Sequence, residues 1–244
     1  MAVQAVLFDL DDTLFDHRHA RLAALRTIRS IEPALARYSL AHLARECDRV
    51  RSEVHFALVV TGKISPEESR WRRMTRFLAE HRIDLPRTRI RELVDLRTES
   101  YRRNRRAVPG AEALLRQLHA SDAKIAVVTN NLVTEQVEKL AVTGLDHLVD
   151  HLVCSEEVGV TKPAPQIFRV ALQRAGARPG TAVMVGDSWE YDIVGARRLG
   201  IRAIWFHRDD RPRPSQPRAD ELRSFRPLAR ASSLILGGPP GPRR

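Results

Sequence analysis

Cysteine is nearly absent from this chain: Cys47 and Cys154 are the only two in 244 residues. Their spacing fits neither a thiolate metal site nor a redox pair, so a disulfide scaffold is excluded. Aromatic residues are scarce, at 5%. The alternation of rings and basic side chains that single-stranded nucleic-acid binders use is therefore missing. No apolar run approaches the roughly 20 residues of a membrane helix. The opening residues, Met1 to Asp9, carry no basic leader, and their short apolar run stops at an acid, which argues against a signal peptide. These absences predict a cytoplasmic protein with no membrane partner.

Lysine is scarce too, although the chain is basic. Of 41 Lys+Arg residues only Lys63, Lys124, Lys139 and Lys162 are lysines, and the formal net charge is +11. Residues 16–107 hold 22 Lys+Arg against 12 Asp+Glu, residues 207–244 hold 9 against 4, and the remaining segments sum to −4. The excess lies away from the segments with chemical motifs. A GC-rich genome produces such an arginine bias unaided, and no nucleic-acid-binding motif accompanies it, so no nucleic-acid partner is expected. A hydrophobic fraction of 43% fits a globular chain with a sizeable core.

Residues 3–8 form a short apolar run ending at an acid and read as a buried strand. The pattern then changes. Residues 16–104 show helix-period apolar positions, such as Leu22, Leu25 and Ile28, separated by arginines. Ser65-Pro66-Glu67-Glu68 reads as a helix start with a capping box. About four helices are expected here. After Val108-Pro109-Gly110, strands at 124–129, 151–155, 182–186 and 202–206 alternate with helices at 111–119, 134–143, 165–175 and 190–199. Such alternation predicts an α/β fold, a Rossmann-like doubly wound parallel sheet, with a helical block inserted after the first strand. The expected boundaries are 1–15 plus 106–236 for the core, 16–105 for the inserted domain and 237–244 for a flexible tail. Residues 207–217 read as a spacer.

Four motifs fall where strands end, the place at which open α/β sheets bind ligands. The first is Asp9-Leu10-Asp11-Asp12-Thr13. Two carboxylates two residues apart on extended backbone can face one pocket, where one can act as nucleophile and the other can handle protons. The ordinary alternative is an acidic turn. The second, Thr129-Asn130-Asn131, offers a hydroxyl and an amide to phosphoryl oxygens, or else a helix cap. The third is Lys162, restrained by the following Pro163, whose ammonium can neutralise phosphoryl charge. The fourth, Gly186-Asp187-Ser188 through Asp192, presents oxygen ligands suited to Mg²⁺.

In this order and placement the motifs resemble those of the haloacid dehalogenase (HAD) superfamily, in its branch with a helical C1-type cap. The resemblance implies a hydrolase that passes through an aspartyl-phosphate. By it, Asp9 is the nucleophile, Asp11 the acid and base, and Mg²⁺ is held by Asp9, the backbone carbonyl of Asp11 and Asp187. Thr129 and Lys162 would grip the phosphoryl group, Asn130 would help position the substrate, and Asp192 and Thr13 would support the site. Asn131 departs from the glycine or serine many relatives carry. The implied function is a magnesium-dependent phosphatase acting on a small phosphorylated metabolite, a nucleoside monophosphate or sugar phosphate, with the oligomeric state left open. A dehalogenase would lack Asp11. A phosphomutase would share every motif, and a non-catalytic binding module would not need all four. Arg70-Trp71-Arg72-Arg73 reads either as a substrate clamp or as a solvated helix face around one buried aromatic.

Overall fold

The computed structural model describes residues 2–54, 63–208, 214 and 219–237. Among these described residues six strands form one sheet: β1 (Ala5–Phe8), β2 (Lys124–Thr129), β3 (His151–Cys154), β4 (Ala182–Gly186), β5 (Arg202–Phe206) and β6 (Asp220–Leu222). Their order is β3-β2-β1-β4-β5-β6, and all neighbours are parallel. The strands are nearly continuous apolar runs because both faces of the sheet are covered. Ala5, Leu7, Ala126, Val128 and Met184 pack with Ile167 and Phe168 of α9 (Pro165–Arg174). The alternate residues Val6, Phe8, Val127 and Val185 are equally buried on the opposite face. The fold is the Rossmann-like α/β sheet that the alternation predicts, and its order reverses beside β1.

The chain divides into two compact units, Met1–Asp16 with Arg106–Arg244, and His17–Arg105. Where the first unit is interrupted, Phe15 and Ala107 form an antiparallel bridge. Beside it Arg106 donates twice to Asp16, from Nε at 2.9 Å and from its terminal nitrogen at 2.8 Å.

The second unit is helical: α1 (His17–Ile31), α2 (Pro33–Ala36), α3 (Leu40–Val54), α4 (Pro66–Glu80) and α5 (Arg87–Arg103). Leu25, Ile28, Leu43, Phe77 and Leu93 form its core. The element beyond the four expected is α2, a single turn that Pro33 starts and Glu32 caps. At the start of α4 only half of the expected capping box forms. Ser65 accepts from the Glu68 N–H at 3.1 Å, but the Glu68 carboxylate pairs with Arg72 at 2.7 Å. The Arg70–Arg73 run is thereby split. Arg72 sits in that exposed pair, and Trp71 packs on the helical core under Arg87 and Arg91. Arg70 lines a groove of about 180 Å³ with Glu67, Arg91 and Asp95.

In the first unit, α6 (Ala111–His119) and α7 (Val133–Thr143) flank β2, and α11 (Leu228–Leu236) is the last described helix. Two expectations shift. Ser155 leaves the strand to begin α8 (Ser155–Val158). The helix expected at 190–199 is instead a π-helical turn, Trp189–Val194, followed by α10 (Gly195–Arg198). The expected spacer and tail lie mostly outside the described residues.

Candidate active site

Asp9 follows β1 at the point where the sheet order reverses, and its N–H donates to Val185 at 2.9 Å. The register sets Phe8 beside Val127 and Val185, so the residues just beyond the ends of β2 and β4 converge on Asp9. The carboxylate is buried, 7% exposed. Its Oδ1 accepts from Lys162 Nζ at 2.7 Å. Its Oδ2 is buried with no hydrogen-bond partner among the described residues.

Lys162 is 2% exposed, and all three of its N–H donors are engaged. They go to Asp9 Oδ1, to the Val128 carbonyl at 2.7 Å and to Asp192 Oδ1 at 2.6 Å. With no donor to spare, it can act on a neighbouring group only through its charge. Asn130 holds the Lys162 backbone from both sides: Oδ1 accepts from the Lys162 N–H at 2.6 Å and Nδ2 donates to its carbonyl at 3.0 Å. Its amide carbonyl and one N–H are thus engaged in placing the lysine backbone.

Asp192 is 1% exposed. Its Oδ2 accepts from the Ser188 N–H at 2.9 Å. A side chain on Gly186 would place its Cβ 2.3 Å from that same oxygen, so only glycine allows Asp192 to reach Lys162. Asp9, Asp187 and Asp192 each offer an oxygen within 4.8 Å of the others. The three carboxylates and the Lys162 ammonium sum to a charge of about −2, which a divalent cation would balance. The partnerless Asp9 Oδ2 supplies a ligand atom with no competing donor, so the residues fit such an ion. The side chain of Asp11 stands outside this cluster.

Burial pushes the Asp9 carboxyl up to about 7 from an ordinary 3.8, and Asp192 adds to the rise against the opposing pull of Lys162. Removal from water, with repulsion from Asp9 and Asp192, also holds Asp187 well above its usual range. For Lys162 burial opposes the charge, but Asp192 and Asp9 outweigh it and keep the ammonium protonated.

Thr129, ending β2, is buried, and its Oγ1 accepts from Gln136 Nε2 at 2.9 Å. An oxygen that accepts there keeps its own proton to give elsewhere. Thr13 is fully buried, and its hydroxyl has no hydrogen-bond partner among the described residues. Asp11 is gripped by Lys139, whose Nζ lies 2.7 Å from both carboxylate oxygens. Sequence reasoning missed Gln136 and Lys139. The sequence offered only two polar residues three apart on a helix, which read as solvent-facing. Trp205 was missed as well: its Nε1 donates to the Asp187 carbonyl at 2.9 Å.

A model of the haloacid dehalogenase-like hydrolases matches residues 3–200. The chain belongs to this family. It is 39% identical over 135 residues to a phosphoserine phosphatase of Thermus thermophilus, covering 54% of this chain and 53% of that protein. The chain thus spans about half the length of that relative. It is 32% identical over 230 residues, 90% of each chain, to a glyceraldehyde 3-phosphate phosphatase of Methanopyrus kandleri. Among solved structures, a HAD phosphatase from Thermococcus onnurineus aligns over 96% of this chain and 98% of its own, at 29% identity and a TM-score of 0.61. Both of these relatives are phosphatases, and the family is one of hydrolases.

Proposed function

We propose that this HAD-like hydrolase is a magnesium-dependent phosphatase of small phosphorylated metabolites and that Asp9 is its nucleophile. The observation that carries the reading is the asymmetric setting of Asp9. One oxygen is fixed by Lys162, and the other is buried without a partner beside Asp187 and Asp192. In the first step an Asp9 oxygen forms a bond to phosphorus as the bond to the leaving oxygen breaks, and Asp11 gives that oxygen a proton. In the second, Asp11 takes a proton from water as the water oxygen bonds to phosphorus and the Asp9–phosphorus bond breaks. The charge of Lys162 and the Thr129 hydroxyl offset the negative charge that phosphoryl transfer concentrates. Mg²⁺ would be held by Asp9, the Asp11 backbone carbonyl and Asp187, with Asp192 beside them, and when bound it lessens repulsion between an anionic nucleophile and an anionic ester.

The relatives' names favour short phosphorylated carbon compounds, and the arginine-rich helical unit, read as a cap, would choose among leaving groups. Cys47 and Cys154 are buried free thiols, in keeping with a cytoplasmic enzyme. The test is a panel of phosphorylated metabolites assayed with Mg²⁺, then with EDTA, then with Mg²⁺ restored. Hydrolysis of at least one small phosphomonoester that is lost and regained in this sequence is expected. Full activity in the chelator would refute the metal, and no hydrolysis of any phosphomonoester would refute the phosphatase.

A further inference from the structure

Helix α7 buries the wrong residues for a simple amphipathic helix. Val137 is 52% exposed and Val142 49%, while Gln136 is fully buried and Lys139 is 5% exposed. Apolar side chains on the outside and an ammonium on the inside are unfavourable unless the inward groups are used. Both are in contact with residues of the first two motifs. Lys139 Nζ makes two equal 2.7 Å contacts with Asp11 and lies 5.3 Å from the Phe15 ring centre. Gln136 Nε2 donates to Thr129 at 2.9 Å and lies 3.4 Å from Asp11 Oδ2.

We infer that Lys139 is a positioning residue for Asp11, fixing the carboxylate that exchanges protons with the leaving oxygen and with water; the inference rests on the phosphatase reading. Asp11 needs such a hold. It is only partly buried, and the chain after it turns through a left-handed Asp12, with φ 67°. A carboxylate free to change rotamer there would spend much of its time out of line with the leaving oxygen, and proton transfer depends steeply on that alignment. A symmetric two-point contact from a buried ammonium removes this freedom. Gln136 acts beside it by holding the Thr129 oxygen.

The test compares wild type with Lys139→Met, which keeps the stem against Phe15 and removes the charge. Two esters are used, an alkyl phosphate, whose leaving oxygen needs a proton, and p-nitrophenyl phosphate, whose leaving oxygen does not. kcat/KM reports the steps through leaving-group departure. A fall of about 100-fold for the alkyl ester and of only a few-fold for the aryl ester is expected, with an unchanged melting temperature. Lys139→Arg, which retains a cation at Asp11, should hold the ratio between esters near the wild-type value, and it carries the test by itself if Lys139→Met does not fold. Equal losses on the two esters, no loss on either, or a Lys139→Arg ratio shifted as far as that of an uncharged variant would overturn the inference. Wild-type failure on both esters would instead sink the phosphatase reading, so the two failures are distinct.

Discussion

The two carboxylate oxygens of Asp9 have different surroundings: Oδ1 accepts from Lys162 at 2.7 Å, and Oδ2 is buried with no hydrogen-bond partner. That asymmetry suits one group with two tasks, meeting a cation and attacking phosphorus. Asp9→Asn preserves shape and removes the nucleophile. Turnover should fall by about 10³-fold or more, while the melting temperature stays level or rises, since a buried, incompletely paired charge is gone. Steady-state assays and thermal melts on the same preparation check both halves. A second prediction concerns Asp11, which the structure sets apart from the acidic cluster and against Lys139. Asp11→Asn should slow release of phosphate from the phosphoenzyme even when the leaving group needs no proton. A rapid-quench burst followed by a stalled steady state with p-nitrophenyl phosphate would show it. Turnover at the wild-type rate would contradict the role.

At the end of β4 and in the π-helical turn after it, one backbone arrangement serves several side chains. The Ile193 N–H reaches back five residues to Ser188 at 3.3 Å, which widens the turn and brings Asp192 inward to Lys162. Gly186 leaves the space that Asp192 fills. Gly186→Ala should therefore push Asp192 off Lys162 and cost about 100-fold or more in activity, although alanine is otherwise well tolerated at strand ends. Activity within a few-fold of wild type would show that the close approach has no functional weight. The strands were legible in sequence because each is an apolar run bounded by turn residues, and the four motifs because their order at strand ends is specific. The π-helical turn was not legible, since a helical period through residues 190–199 cannot register one extra residue per turn. Lys139 and Gln136 were hidden for a related reason: on an isolated helix a polar residue reads as solvent-facing, and only the position of Asp11 and Thr129 beneath α7 reverses that reading. The hold of Asn130 on the Lys162 backbone was not legible, because hydrogen bonds from residue 130 to residue 162 depend on how β2 and the Lys162 loop meet.

At the scale of the whole molecule, the acidic cluster links stability, pH and metal. In the folded chain Asp9 titrates near 7 rather than 3.8, so between about pH 4 and pH 7 the folded state holds a proton that the unfolded state has released. Stability from this group is therefore lost as pH rises through that window, in the direction opposite to a carboxylate whose partners hold its pKa below the ordinary value. A divalent cation must displace the proton, so its affinity should rise with pH across the same window and level off above it. Melting curves with and without Mg²⁺ should show a small increase at about pH 5.5 and a larger one at about pH 8. Taking the difference between the two curves cancels histidines elsewhere in the chain. A pH-independent Mg²⁺ shift would place the bound ion away from Asp9 and Asp187. The central claim, a phosphoryl group carried on Asp9, is tested most directly by trapping it. The protein is turned over on a small phosphate ester with Mg²⁺, quenched in acid and reduced with borohydride, which converts an acyl phosphate to an alcohol; peptide mass mapping then finds the site. The account predicts homoserine in place of Asp9, formed only with substrate and absent from Asp9→Asn. Unmodified Asp9 under conditions where turnover is measured and phosphoenzyme accumulates, or modification at any other carboxylate, would contradict it.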